Sequence, residues 1–137
     1  MLGPKKTKYR KSFKGRRSGK GVATKRIDLN FGSYGMKAVT EGWINSRQIE
    51  ATRRVIAKYT QKGGKIWIRI FPDKPVTKKG GEIGMGGGKG AFDHYVAIVK
   101  PGMILFEMEG LEKDAAKKAI ELSAHKLPIK IKFISKD

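Results

Sequence analysis

The sequence predicts an α+β sandwich in which two helices cover one face of a mostly antiparallel sheet. Two stretches carry helical periodicity with start and stop signals, around residues 45–64 and 112–125. Several short stretches instead alternate apolar and polar residues, at 65–71, 94–100, 103–109 and 129–134. The third observation is Pro101–Gly102, a dipeptide that suits a hairpin turn between the second and third of these stretches.

Taken in chain order, RIDLNFGSYGMKAV reads as two short extended pieces broken at Gly32 and Gly35. The first helix follows from WINSRQIEATRRVIAKYTQKGG. Asn45 is a good N-cap, Gln48 completes a capping box, and Gly63 and Gly64 end the helix. Ile49, Thr52, Ile56 and Tyr59 fall on one face, and Arg47, Glu50, Arg54, Lys58 and Gln61 on another. KIWIRIF alternates as a strand does, with Pro72 and Pro75 closing it. HYVAIVK and MILFEME are expected to pair across Pro101–Gly102.

A second helix runs from Glu112 to about His125. Glu112 and Asp114 complement its positive end, Ala115, Ala119 and Leu122 line its inner side, and Pro128 stops it. IKIKFI closes the fold with Ile129, Ile131 and Phe133 facing one way and Lys130 and Lys132 the other. His94 is expected on a strand facing solvent, and His125 near a helix C-terminus, where a basic group is favourable.

Charge is the dominant compositional fact. Thirty-one Lys and Arg against twelve Asp and Glu give a net charge of +19 in 137 residues. That excess favours a polyanionic partner, with nucleic acid the first candidate and an anionic membrane surface the second. Residues 1–27 carry eleven Lys and Arg and no acid. The division expected is a basic N-terminal arm over 1–26 and one α+β RNA-binding domain over 27–137, with a Gly/Lys-rich loop at 76–91. An arm so poor in apolar residues is expected to stay mobile until a partner orders it. Extended, its first 20 residues reach about 65 Å, at roughly 3.3 Å per residue. Tyr9 and Phe13 stand among its cations, where they could stack on bases or riboses.

Several classes are disfavoured. No apolar run approaches the roughly 18–20 residues of a membrane span. The chain has no cysteine, so disulfides and thiolate chemistry are absent. His94 and His125 lack metal-ligand spacing, and no metal or other cofactor is expected. No catalytic triad or acid–base pair is recognisable, so no catalytic residue is assigned and no small-molecule substrate is expected. The basic N-terminus has no apolar stretch of the secretory type, and Pro4, Gly15, Gly19 and Gly21 break any amphipathic helix of a transit peptide.

The segment EIGMGGGKGAF, residues 82–92, invites comparison with nucleotide-binding loops. A phosphate-binding P-loop needs glycine where this chain has Ile83, and a hydroxyl where it has Gly90. Gly86, Gly88 and Ala91 fit a dinucleotide-binding pattern, but a strand-like stretch follows them where that pattern requires a helix. What survives is simpler: glycines let backbone N–H groups approach phosphate, while Lys78, Lys79 and Lys89 supply charge. A plain hairpin tip remains the alternative.

The runs MLGPKKTKYRKSFKGR, LNFGSYGMKAV, NSRQIEATRR, GGKIWIRIFPDKPVTKK, MGGGKG, FEMEG and AHKLPIKIKF together resemble the bacterial large-subunit ribosomal protein sixteen family, from Met1 to about Ser135. The resemblance implies a non-enzymatic ribosomal component with an α/β-hammerhead-like fold. Its partners would be large-subunit ribosomal RNA, tRNA and neighbouring large-subunit proteins, with no membrane. It would help position A-site tRNA near the peptidyl-transferase region. Carried over by position, Lys5, Lys6, Lys8, Tyr9, Arg10, Lys11, Arg16 and Arg17 become rRNA contacts in the arm. Arg47, Arg53, Arg54 and Lys58 become the RNA-facing residues of the first helix. Lys78, Lys79, Met85, Gly86 and Lys89 become a tRNA-proximal loop. The chain departs from the family at Gly84, where many members carry arginine, so that arginine's role does not transfer.

A cytoplasmic, ribosome-bound protein is the expectation, with an organellar ribosome also open. The competing reading is a free-standing basic nucleic-acid-binding or RNA-chaperone protein, which would bind duplex DNA and ribosomal RNA alike.

Overall fold

A computed structural model describes residues 2–5, 21–23, 25–60, 63–78 and 91–136. Its strands are β1 (Tyr34–Ala38), β2 (Gly42–Asn45), β3 (Lys65–Ile68), β4 (Lys74–Lys78), β5 (Ala91–Val99), β6 (Ile104–Glu109) and β7 (Ile131–Ser135). Helix α1 spans Ser46–Tyr59 and α2 spans Lys113–Ser123, followed by a 3-10 turn at Ala124–Lys126. The fold is α+β and antiparallel as expected, but the strands divide into two open sheets, ordered β3-β6-β1-β7 and β2-β5-β4.

That division corrects the hairpin expected at Pro101–Gly102. The turn exists, with the Met103 N–H donating to the Lys100 carbonyl at 3.2 Å and Gly102 at φ +95°. However, Val99 pairs with Gly42 in one sheet and Ile104 pairs with Lys37 in the other. The chain therefore changes sheets here. It also changes sheets between Ala38 and Gly42, and Gly102 N–H to Ala38 carbonyl (2.8 Å) and Ala38 N–H to Met103 carbonyl (2.8 Å) tie the two crossings together.

Two glycine and proline signals meant something other than a break. Gly35 lies inside β1, not between two pieces. A Cβ there would meet Leu29 Cδ2 at 2.4 Å and the Phe106 carbonyl at 3.0 Å, so the glycine permits the segment before β1 to lie against the sheet. Pro75 does not close β3 but belongs to β4, opposite Tyr95. Since β4 lies at the end of the β2-β5-β4 order, a missing N–H there costs no central ladder bond. β3 itself stops at Ile68, although the alternation continues to the buried Ile70.

The start and inner face of α1 are as expected, but the helix ends at Tyr59 with Thr60 as its C-cap, short of Gly63 and Gly64, and Tyr59 is only half-buried. Asn45 Oδ1 accepts from the Gln48 N–H and Gln48 Oε1 from the Asn45 N–H, both at 2.9 Å, which closes the capping box. Ile49, Thr52 and Ile56 are fully buried. Burying each isoleucine is worth about 1.5–3 kcal/mol, and the Thr52 hydroxyl is satisfied by the Gln48 carbonyl at 2.8 Å.

For α2 the inner face is rotated by about one residue from the expectation. Ala116, Ala119, Ile120 and Ser123 are buried, whereas Leu122 is 40% exposed. Ile120 is the large residue of that stripe, and packing of α2 on α1 and on the β1–β7 side of the sheet favours it over Leu122. Leu127 is extended, at φ −113° and ψ 146°, as the residue before Pro128 must be. His94 lies on β5 beside Asp93, and His125 lies in the 3-10 turn.

Met36, Leu105, Phe106 and Met108 of the four-stranded sheet join Ile49, Ile56 and Ile120 of the helices in one buried cluster, with Ile44, Ala97 and Val99 of the other sheet. The face of the four-stranded sheet opposite the helices is covered by the chain before β1. Ile104 N–H donates to the Arg26 carbonyl at 2.6 Å, Ser33 N–H to Met108 at 3.1 Å, and Ala23 N–H to Pro101 at 3.0 Å.

Candidate nucleic-acid interface

Helix α1 presents its core residues inward, which obliges its charged residues to face out. Arg47, Arg54 and Lys58 are exposed. Residues 47, 50, 54 and 58 recur at helical spacing, so they form one stripe, which at 1.5 Å per residue is about 16 Å long. A polyanion laid along that stripe meets three cations and one acid.

The acid, Glu50, is engaged by its own helix. Arg53 donates Nε to Oε2 at 3.0 Å and Nη2 to Oε1 at 2.5 Å, a two-point pair, while Arg54 Nε reaches Oε1 at 3.3 Å. The Arg53 hydrogen bonds, aided by the charges of Arg53 and Arg54, hold the Glu50 carboxyl down at about 2. The same pairing raises Arg53 above its ordinary value. Arg53 is thus oriented along the helix surface, whereas the Arg54 side chain, 72% exposed, has room to leave. Of the four α1 cations expected to face RNA, Arg47 and Lys58 are exposed, Arg54 is exposed but bonded once to Glu50, and Arg53 is clamped by two bonds.

The glycine loop has a defined base. Lys78 and Ala91 are opposed partners at the end of the β4–β5 pair, so that pair frames residues 79–90. Lys79, Met85, Gly86 and Lys89 lie outside the described residues, and so does the Lys78 side chain. So do Lys6, Lys8, Tyr9, Arg10, Lys11, Phe13, Arg16 and Arg17 of the arm; Lys5 is described and exposed. The structure brings one expected α1 residue toward the loop's base: Asn45, Ser46 and Arg47 share a cavity of about 350 Å³ with Asp93 and His94, two and three residues beyond Ala91.

A further constellation was missed on the outer face of the four-stranded sheet. Glu107 is fully buried there, opposite Trp67 of β3 and Gly35 of β1. Its Oε1 accepts three consecutive backbone N–H groups, from Asn30 (2.9 Å), Phe31 (2.9 Å) and Gly32 (3.0 Å). Its Oε2 is paired with Arg69, whose Nη1 also donates to the Asp28 carbonyl at 3.2 Å. Burial pushes the Glu107 carboxyl up, but the Gly32 and Phe31 N–H groups and the Arg69 guanidinium outweigh it and hold the group below its ordinary value. The turn at 30–32 is thus an anion nest whose anion is supplied by the protein itself.

Above this pair the Phe31 ring stacks on Trp67, with centroids 6.0 Å apart at 21°, and Arg69 Cζ lies 5.2 Å from the Phe31 centroid. A signal was available in the sequence. Glu107 is the one acid inside the run Ile104–Met108, whose other members are all apolar and all buried, so both faces of that strand had to be covered and the carboxylate had to find partners there.

Among the described residues, no group of three His, Cys, Asp or Glu side chains could hold a metal ion, and no helix is long and apolar enough to cross a membrane.

Comparison with known proteins adds the following. The family model described as ribosomal protein L16p/L10e matches residues 4–134. The chain is 57% identical over 137 residues to the large ribosomal subunit protein uL16c of Cyanidium caldarium, covering 100% of this chain and 96% of the relative. It is 56% identical over 134 residues to the uL16c of Thalassiosira pseudonana, covering 98% and 96%. The uL16c of Phaeodactylum tricornutum is 54% identical over 137 residues, covering 100% and 98%.

Proposed function

The chain belongs to the ribosomal protein L16p/L10e family and is a structural component of the large ribosomal subunit rather than an enzyme; from that premise we propose that it binds large-subunit ribosomal RNA and helps position A-site tRNA near the peptidyl-transferase region. The observation that carries the RNA contact is the outward stripe of Arg47, Arg54 and Lys58 on a helix whose opposite face is locked in the core. Cations carried on a fixed helix position a phosphate backbone against it. The arm cations Lys5, Lys6, Lys8, Arg10, Lys11, Arg16 and Arg17, with Tyr9, extend the same contact in this reading. Lys78, Lys79, Met85, Gly86 and Lys89 form the tRNA-proximal element. Support for the latter is the β4–β5 frame beneath the loop and the nearness of Arg47 to its base.

An organellar ribosome is our reading in preference to a cytoplasmic one, and the uL16c designation of the three relatives named above supports it. Sedimentation of the tagged chain through sucrose gradients, at low salt and after a high-salt wash, tests the assignment. Stoichiometric retention on the large subunit of the organellar fraction is expected. Release by the wash and co-migration with DNA or bulk RNA would overturn it in favour of a free-standing nucleic-acid-binding protein.

A further inference from the structure

We infer that the exposed ring of Phe31 is a stacking platform for an unpaired nucleobase of the large-subunit RNA, a contact separate from the phosphate-binding cations and resting on the ribosomal assignment above. Phe31 is 54% exposed. Its backbone N–H is fixed by the fully buried Glu107 carboxylate, and its ring is supported by Trp67 and Arg69. These two side chains stand two residues apart on an alternating stretch, so they share one side and back the ring from the sheet. A buried carboxylate is a costly group to keep, and here it immobilises the turn that holds the Phe31 ring toward solvent. Preorganisation of that kind lowers the entropy cost of a contact.

The surroundings select the ligand. Arg69 is neutralised by Glu107, Lys65 stands opposite Glu109, and Asp28 is exposed nearby, so the local charge does not single out phosphate. A flat neutral π-face does match the ring. The exposed part of one phenylalanine offers about 100 Å², far below the roughly 800 Å² that each partner contributes to a stable protein interface. A single base needs no more than a ring, and the net charge of +19 already brings RNA to the surface.

The test uses the full chain bound to isolated large-subunit RNA. Ultraviolet cross-linking followed by nuclease and trypsin is expected to leave a nucleotide remnant on Phe31, in the peptide Ile27–Lys37. Phe31→Leu is expected to weaken RNA binding roughly ten-fold, with the slope of log affinity against log salt unchanged, because no phosphate contact is lost. Phe31→Tyr, which keeps the ring, is expected to bind like the parent and controls for folding. If the parent binds RNA but Phe31 carries no remnant and Phe31→Leu binds equally well, the platform is refuted and the ribosomal assignment stands. Cross-linking of Phe31 to a neighbouring protein in assembled subunits would also refute it. Failure of the parent chain to bind the RNA would remove the assignment and the platform together.

Discussion

Arg69 and Glu107, 38 residues apart in sequence, form an ion pair on the face of the sheet opposite the helices, with Arg69 11% exposed and Glu107 fully buried. The pair joins β6 to the segment just beyond β3, and through Asp28, Asn30, Phe31 and Gly32 it anchors the chain that crosses this face. It therefore ties local folding of the turn to closure of the sheet.

Removing either partner should be expensive. Arg69→Ala leaves a buried carboxylate with backbone N–H groups alone, and Glu107→Ala leaves a nearly buried guanidinium and three N–H groups unpaired. A loss of about 3–5 kcal/mol is expected for each single change. The double variant should lose much less than the sum, because both changes remove the same interaction. Urea unfolding of the four proteins measures this, and additive losses would show that the pair is not coupled.

The same carboxylate predicts the acid limb of stability. Glu107 and Glu50 both titrate below the ordinary carboxylate value in the folded chain, Glu50 at about 2. A depressed folded value means that their contribution is complete above the unfolded value of about 4.5 and is lost as pH falls through the folded one. Urea midpoints should therefore drop as pH is lowered from about 4.5 toward 2. Glu107→Gln, less stable at neutral pH, should show a flatter profile over that window. An unchanged slope would assign the acid sensitivity to other carboxylates.

Much of this architecture was legible because its signals are local. The Asn45–Gln48 capping box and the Ile49, Thr52, Ile56 stripe follow from spacing within one helix, and both appear as expected. The Ile131 and Phe133 against Lys132 alternation did the same for β7. Sheet membership was not legible, since the turn at Pro101–Gly102 looks alike whether the flanking strands pair with each other or leave for different sheets. Gly35 was misread because glycine serves both turns and close approach, and only the position of Leu29 decides which. The Glu107 site needed contacts 75–77 residues away, which no periodicity carries. In the candidate interface, spacing found the α1 cations but not the capture of Arg53 by Glu50.

Gly32 and Gly63 separate two reasons for glycine. A Cβ on Gly32 would stand 2.6 Å from the Met108 carbonyl oxygen, and the turn cannot retreat while its N–H groups hold Glu107. Gly32→Ala should cost about 1–3 kcal/mol through this overlap. Gly63 has open space but φ +92°, so Gly63→Ala should cost only about 1–2 kcal/mol of backbone strain. Combining each with Glu107→Gln distinguishes them: the Gly32 cost should shrink as the turn relaxes, and the Gly63 cost should not. Thermal unfolding of the single and double variants reads both, and equal costs in the two backgrounds would break the link between Gly32 and the carboxylate.

Glu50 sits within the very stripe that should meet RNA, and its removal should improve binding. In the parent it holds Arg53 by two hydrogen bonds and Arg54 by one. Glu50→Gln deletes a negative charge from the stripe and releases two guanidinium groups toward phosphate. Affinity for large-subunit RNA at low salt should rise, and the dependence of log affinity on log salt should steepen by roughly 0.7–0.9 for each new phosphate contact. Arg54→Ala and Lys58→Ala should change the slope by the same amount in the opposite direction. The helix loses a part-buried pair with Arg53 and an exposed pair with Arg54, so a modest loss of stability at neutral pH should accompany the gain in affinity. An affinity lowered by Glu50→Gln would mean that Glu50 orients Arg53 for its RNA contact rather than withholding it.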